Sequence, residues 1–139
     1  MTQEEKQLLL KDLCARLPYG VMVRVEGEKY FNETKEPYIT RLSLNNYILD
    51  YNDVTITPYL RPMSSMTEEE RKEINKSYNF SDFGNITIRY HMEGWWDNDT
   101  ECSLKDYLYL IDWLNEHHFD YRGLIEKGLA LEALDDMYK

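Results

Sequence analysis

The sequence is short of the residues that staple a fold or hold a metal. It has two cysteines, Cys14 and Cys102, and three histidines in 139 residues. Two distant thiols do not make a disulfide framework. No apolar run approaches the roughly 20 residues that span a bilayer. The opening, Met1-Thr2-Gln3-Glu4-Glu5-Lys6, lacks the basic region and apolar stretch of a secretion signal. The chain is therefore expected in the cytoplasm, with no membrane partner. On that reading, the N-x-S/T triplets at Asn32, Asn75, Asn79, Asn85 and Asn98 are chance occurrences.

Basic residues are also scarce. Lys and Arg number 16 against 26 Asp and Glu, for a net charge of −10. The imbalance is local: residues 1–92 carry 14 acids and 12 bases, whereas residues 93–139 carry 12 acids and 4 bases. An acidic C-terminal third repels nucleic acid and anionic lipid. It either attracts a basic partner or serves solubility alone. Neither phosphate-binding glycine motif occurs, so no nucleotide cofactor is expected. There is no G-x-S-x-G elbow and no basic stripe interleaved with aromatics.

What is present is enough for a core. Apolar residues make up 42% of the chain and aromatics 14%, including twelve Tyr and three Trp. Disordered chains are poor in aromatics. The length suits one domain spanning 1–139.

Thr2 and Glu5 have capping-box spacing. The helix they open carries Leu9, Leu10, Leu13, Cys14 and Leu17 at helical spacing, so Cys14 is expected as a buried hydrophobe. Pro18 ends the helix and Gly20 turns the chain. Val21, Val23 and Val25 alternate with polar neighbours, the mark of a half-buried strand. Residues 38–50 read as a hairpin turning at Asn45-Asn46, with Leu42 opposite Leu49 and Arg41 opposite Asp50. Val54 to Thr57 alternates as a further strand that Pro58 ends or places at an edge. Thr67 and Glu70 repeat the capping-box spacing, before a helix whose only clear apolar residue is Ile74. Ile86, Ile88, Tyr90 and Met92 mark a last strand. Ser103 caps the longest helix, with Leu104, Tyr107, Leu108, Ile111 and Leu114 as its core stripe and Leu110 and Trp113 widening it. A short helical piece, 121–127, meets Gly128 as C-cap. The order lacks βαβ alternation, so the expected class is α+β: an antiparallel sheet of about four strands with helices on one face.

Chemistry-bearing residues are few. His91 and Glu93 share a strand face, and His117, His118 and Asp120 gather at a helix end. Together they could hold a metal if the two elements met, although zinc-site spacings are absent. The helix end alone accounts for His117 and His118 as groups that suit the last carbonyls. Cys102, just before the Ser103 cap, is either an activated thiol or a packing partner of Tyr107. Two features read as interaction surfaces. Trp95 and Trp96 are adjacent, and in extended chain neighbours point oppositely, leaving one exposed. Tyr59, Arg61 and Met63 lie in the aperiodic 58–66 segment, which either binds a partner or covers a sheet edge.

Three blocks carry a resemblance: Leu9 to Gly20 (LLKDLCARLPYG, from Leu9), Thr57 to Glu70 (TPYLRPMSSMTEEE) and Asp112 to Gly128 (DWLNEHHFDYRGLIEKG). Together they resemble a family of small uncharacterised proteins from gut anaerobic bacteria and their prophages. The resemblance implies a phage or mobile-element setting and carries no activity or site residue. The expectation is a non-catalytic acidic protein-interaction module acting on a basic or host protein. The alternative is a small-molecule or metal-binding protein built on His91, Glu93, His117, His118 and Asp120.

Overall fold

A helix needs its first N–H groups satisfied, and Thr2 does this for α1, Gln3–Arg16. Its hydroxyl accepts from the Glu5 N–H at 3.1 Å, while the Glu5 carboxylate accepts from the Thr2 N–H at 2.7 Å. This is the capping box expected from the sequence. The computed structural model that shows it describes residues 1–26, 38–43, 55–78 and 104–138, without the side chains of 75–78 and 104–107.

The buried face of α1 is Leu9, Asp12, Leu13 and Arg16. The helical period is as expected, but the face is rotated. Leu10 is 40% exposed, and Cys14 is exposed rather than a core hydrophobe. The reason is a neutralised pair. The Arg16 Nε lies 2.7 Å from Asp12 Oδ2, one helical turn away, with both side chains at 0% exposure. Paired in this way, two charges can occupy the buried stripe. After α1, Leu17–Tyr19 form a 3₁₀ turn, and Gly20 reverses the chain at φ 64°. A Cβ at Gly20 would stand 2.8 Å from the Arg41 Cδ. The Arg41 Nη1 donates to the Gly20 carbonyl at 3.1 Å.

Among the described residues four strands follow: β1 Met22–Glu26, β2 Tyr38–Arg41, β3 Thr55–Leu60 and β4 Leu131–Glu132, in the sheet order β2-β1-β3-β4. β1 pairs antiparallel with β2 and β3. β4 runs parallel to β3, through Tyr59↔Leu131 and Leu60↔Glu132. The sheet is therefore mixed, not purely antiparallel. A two-residue strand shows no alternation, which is why β4 left no mark in the sequence. The fold class is α+β. Of the 38–50 hairpin, its first arm is β2, while its turn and second arm, with Leu49 and Asp50, lie outside the described residues. So does the 86–92 strand.

Pro58 does not end β3. It is the last β3 residue paired to β1, opposite Val23, and β4 pairing begins at Tyr59. A residue without an N–H is tolerated where one ladder hands over to the next. Just beyond, the Tyr138 hydroxyl accepts from the Met22 N–H at 2.9 Å and donates to the Tyr59 carbonyl at 2.6 Å.

The chain divides into two compact units. The first is Met1–Leu60 with Leu124–Lys139, and the second is Arg61–Gly123. In the first, Val21, Val23 and Val25 join Leu9, Leu13, Leu42, Ile56, Leu60, Leu124, Leu129 and Ala130 in one core. The expected helical piece at 121–127 is instead a single turn. The Gly128 N–H reaches the Ile125 carbonyl at 3.0 Å and the Leu129 N–H reaches the Leu124 carbonyl at 2.9 Å. Gly128, at φ 73°, makes this closure as expected.

The second unit holds α2, Glu68–Tyr78, and α3, Leu104–Glu116. Its core is Met63, Met66, Ile74, Leu110, Trp113, Leu114 and Phe119. Ile74, the clear apolar residue of α2, is fully buried. α3 ends in a Schellman closure, with the Phe119 N–H to Leu114 at 2.9 Å and the His118 N–H to Asn115 at 3.1 Å. His118 takes the left-handed position usually given to glycine, at φ 63°. Among the described residues, no helix is long and apolar enough to cross a membrane.

Two outcomes follow for the first unit. Asp12→Ala leaves Arg16 charged in the core and costs about 3–5 kcal/mol in urea unfolding, most of it recovered in the double variant Asp12→Leu/Arg16→Met. Burial pushes the Tyr138 phenol from 10.0 up to about 12, although the Met22 N–H, Arg16 and Arg41 all favour its anion. A raised phenol pKa keeps stability whole below pH 10 and loses it as pH climbs towards 12. Tyr138→Phe flattens that alkaline loss, read from urea midpoints across the range.

Candidate functional site

The outer face of α3 exposes apolar and acidic side chains together. The helix turns Leu110, Trp113 and Leu114 into the core, and Asn115 is buried beside its end, its side-chain Oδ1 accepting from the Tyr121 hydroxyl at 2.8 Å. Residues one turn apart share a face. Leu108, Asp112 and Glu116 therefore stack along the opposite side, with Tyr109 beside them. Leu108 is 58% exposed and Tyr109 44%. Asp112 and Glu116 are exposed as well.

This corrects the expected stripe, in which Leu108 faced inward. The core takes the 110/113/114 face because Trp113 and Phe119 stack there, their centroids 5.8 Å apart. Sequence reading missed Leu108 and Tyr109 as surface residues. The signal was the acids at the fourth and eighth positions after Leu108, which belong on a solvated face.

Arg61, a candidate binding residue, is held in a structural node. Its two terminal nitrogens fork onto the Glu70 carboxylate at 2.8 and 2.7 Å. Its guanidinium carbon lies 4.1 Å above the Phe119 ring. Its backbone N–H donates to the His118 carbonyl, and its carbonyl accepts from the Asp120 N–H, each at 2.8 Å. Glu70 also completes the second expected capping box, accepting from the Thr67 N–H at 3.0 Å while its own N–H reaches the Thr67 hydroxyl at 3.2 Å. Burial alone would raise the Glu70 carboxyl. The Arg61 fork and the Thr67 bonds outweigh it and hold the group below its ordinary 4.5.

The neighbouring candidates are interior. Tyr59 is 5% exposed and Met63, part of the second unit's core, 3%, so neither offers a surface. His117 stacks on Trp113 at 3.9 Å between centroids, with Nδ1 2.9 Å from the Trp113 carbonyl oxygen. His118 and Asp120 are buried. Among the described residues, no group of three or more His, Cys, Asp or Glu is placed to hold a metal ion, so His117, His118 and Asp120 do not form a site by themselves. His91, Glu93, Trp95, Trp96 and Cys102 lie outside the described residues.

No known family profile, curated protein or solved structure matches the chain.

Because Glu70 titrates below its unfolded value, its contribution is full above about pH 4.5 and is lost as pH falls through the lower folded value. Glu70→Gln should cost about 1–2 kcal/mol at neutral pH and much less at about pH 3. Urea midpoints at the two pH values give the comparison, and an equal cost at both would remove the charge from the explanation.

Proposed function

We propose that this protein is a non-catalytic binding module that takes a basic, amphipathic segment of another protein on the outer face of α3. One observation carries the reading: Leu108 and Tyr109 stand exposed on the same helix face as Asp112 and Glu116. An apolar centre beside carboxylates is complementary to a segment with apolar residues flanked by Lys or Arg. The apolar part supplies affinity at roughly 25 cal/mol per Å² buried. The acids supply orientation and encounter rate, helped by the excess of acids over bases beyond residue 92. The resemblance to prophage proteins supports a host protein as target and the host cytoplasm as the place of action.

Affinity capture from a gut-anaerobe lysate tests this with three forms of the protein: unaltered, Asp112→Asn/Glu116→Gln, and Leu108→Ser/Tyr109→Ser. All four positions are exposed, so unfolding midpoints should barely move. The unaltered protein is expected to enrich one protein bearing a basic amphipathic segment. A peptide of that segment should bind roughly tenfold more weakly to the neutralised form, at two rim ion pairs of up to about 1 kcal/mol each. It should lose most binding to the Ser form. Equal binding by all three forms would remove α3 from the function.

A further inference from the structure

α1 carries a segment of the kind that the α3 face is built to take. Its inward stripe is Leu9, Asp12, Leu13 and Arg16. On the side turned to solvent, Leu10 is 40% exposed, and Cys14, one helical turn on, is exposed as well. Lys6 and Lys11 are both exposed. At about 3.6 residues per turn, Leu10 and Cys14 fall between Lys6 on one flank and Lys11 on the other. The acids of this helix leave the centre of the face clear. Asp12 is buried against Arg16, Glu5 is tied into the capping box and Glu4 stands in the first turn. The middle of the exposed face is therefore apolar, with a lysine on either side.

We propose that the α1 face of a second copy of this chain occupies the α3 face, with Leu10 and Cys14 meeting Leu108 and Tyr109 while Lys6 and Lys11 meet Asp112 and Glu116. The pairing rests on the binding role proposed for α3 and names one occupant of that same site. Charge complementarity carries it. At a net charge of −10, two copies repel each other overall. A contact between them forms where unlike charges face one another. The α3 face brings two carboxylates and the α1 face two ammonium groups, and each set borders exposed apolar side chains. Every copy carries both faces, so the contact is heterologous, made by a different surface of each partner. One helix face against another falls below the roughly 1,200 Å² of stable interfaces, so the copies exchange rapidly. The second copy and a host segment then compete for one face.

Sedimentation equilibrium of the full chain at low salt, across the micromolar-to-millimolar range, tests this with two charge-reversed forms, Lys6→Glu/Lys11→Glu and Asp112→Lys/Glu116→Lys. All four positions are exposed, so unfolding midpoints should show both forms folded. The unaltered chain is expected to self-associate at the upper end of the range. Each form alone should associate at least about tenfold more weakly, because like charges then face each other. The second form is the sharper one: it makes the chain less negative, so relief of overall repulsion would strengthen association instead. Mixed, the two forms should associate again, since each supplies the face that the other has lost. A chain that stays monomeric throughout, association unmoved by either reversal, or a mixture no stronger than its parts overturns the proposal. In that event a synthetic helical Leu/Lys peptide separates two failures. Binding to the unaltered chain but not to the Asp112→Lys/Glu116→Lys form excludes only the second copy as occupant, whereas no binding removes the α3 face altogether.

Discussion

Two full charges, Asp12 and Arg16, sit at zero exposure on the face of α1 that meets the sheet, and the first unit depends on their staying together. Burying one such charge alone costs several kcal/mol, comparable to the whole stability of a small domain. The cost is met locally by a contact one helical turn long. The pair is also the centre of a wider polar layer. Arg16 and Arg41 both lie close enough to Tyr138 to favour its anion. Arg41 reaches back to the Gly20 carbonyl, and Tyr138 joins Met22 to Tyr59. The helix, the turn after it, β1, β2, β3 and Tyr138 are thus linked through polar side chains as well as through valines and leucines.

The second unit meets the same constraint differently. Glu70 starts α2 and also anchors Arg61, so one carboxylate closes a helix terminus and neutralises a half-buried guanidinium. Phe119 supplies the face under that guanidinium and belongs to the core. The backbone of Arg61 bonds on both sides of Phe119. Helix start, core aromatic and chain pairing therefore converge on a single arginine.

Local features were legible in the sequence because their causes are local. Both capping boxes, the valine alternation of β1, the Gly20 turn and the Gly128 closure each depend on residues within a few positions of one another. Features decided by distant partners were not legible. Cys14 sits among leucines at helical spacing, and only the Asp12–Arg16 contact rotates the helix so that it faces water. Leu108 reads as core until Trp113 and Phe119 choose the face of α3. The parallel β4 and the Tyr138 bridge join residues about 70 and 79 to 116 positions apart, and no pattern within a window of the chain reports such pairings. Of the candidate site residues, Arg61 reads in the sequence as a binding residue in an aperiodic segment, and its fork onto Glu70, whose spacing marks only a cap, was not legible there.

The placement of charge bears directly on function. Asp12, Arg16, Arg61 and Glu70 are consumed inside the fold, where each has a partner within hydrogen-bonding reach. These two pairs are neutral and leave the net charge untouched. The −10 excess therefore comes from residues outside these locks, Asp112, Glu116, Asp135 and Asp136 among them, all of them exposed. Exposed charge of this kind meets first what approaches from outside. On α3 it lies beside exposed Leu108 and Tyr109, where solubility alone would call for acids but not for a leucine more than half open to water. On that conjunction the proposed binding role of α3 rests.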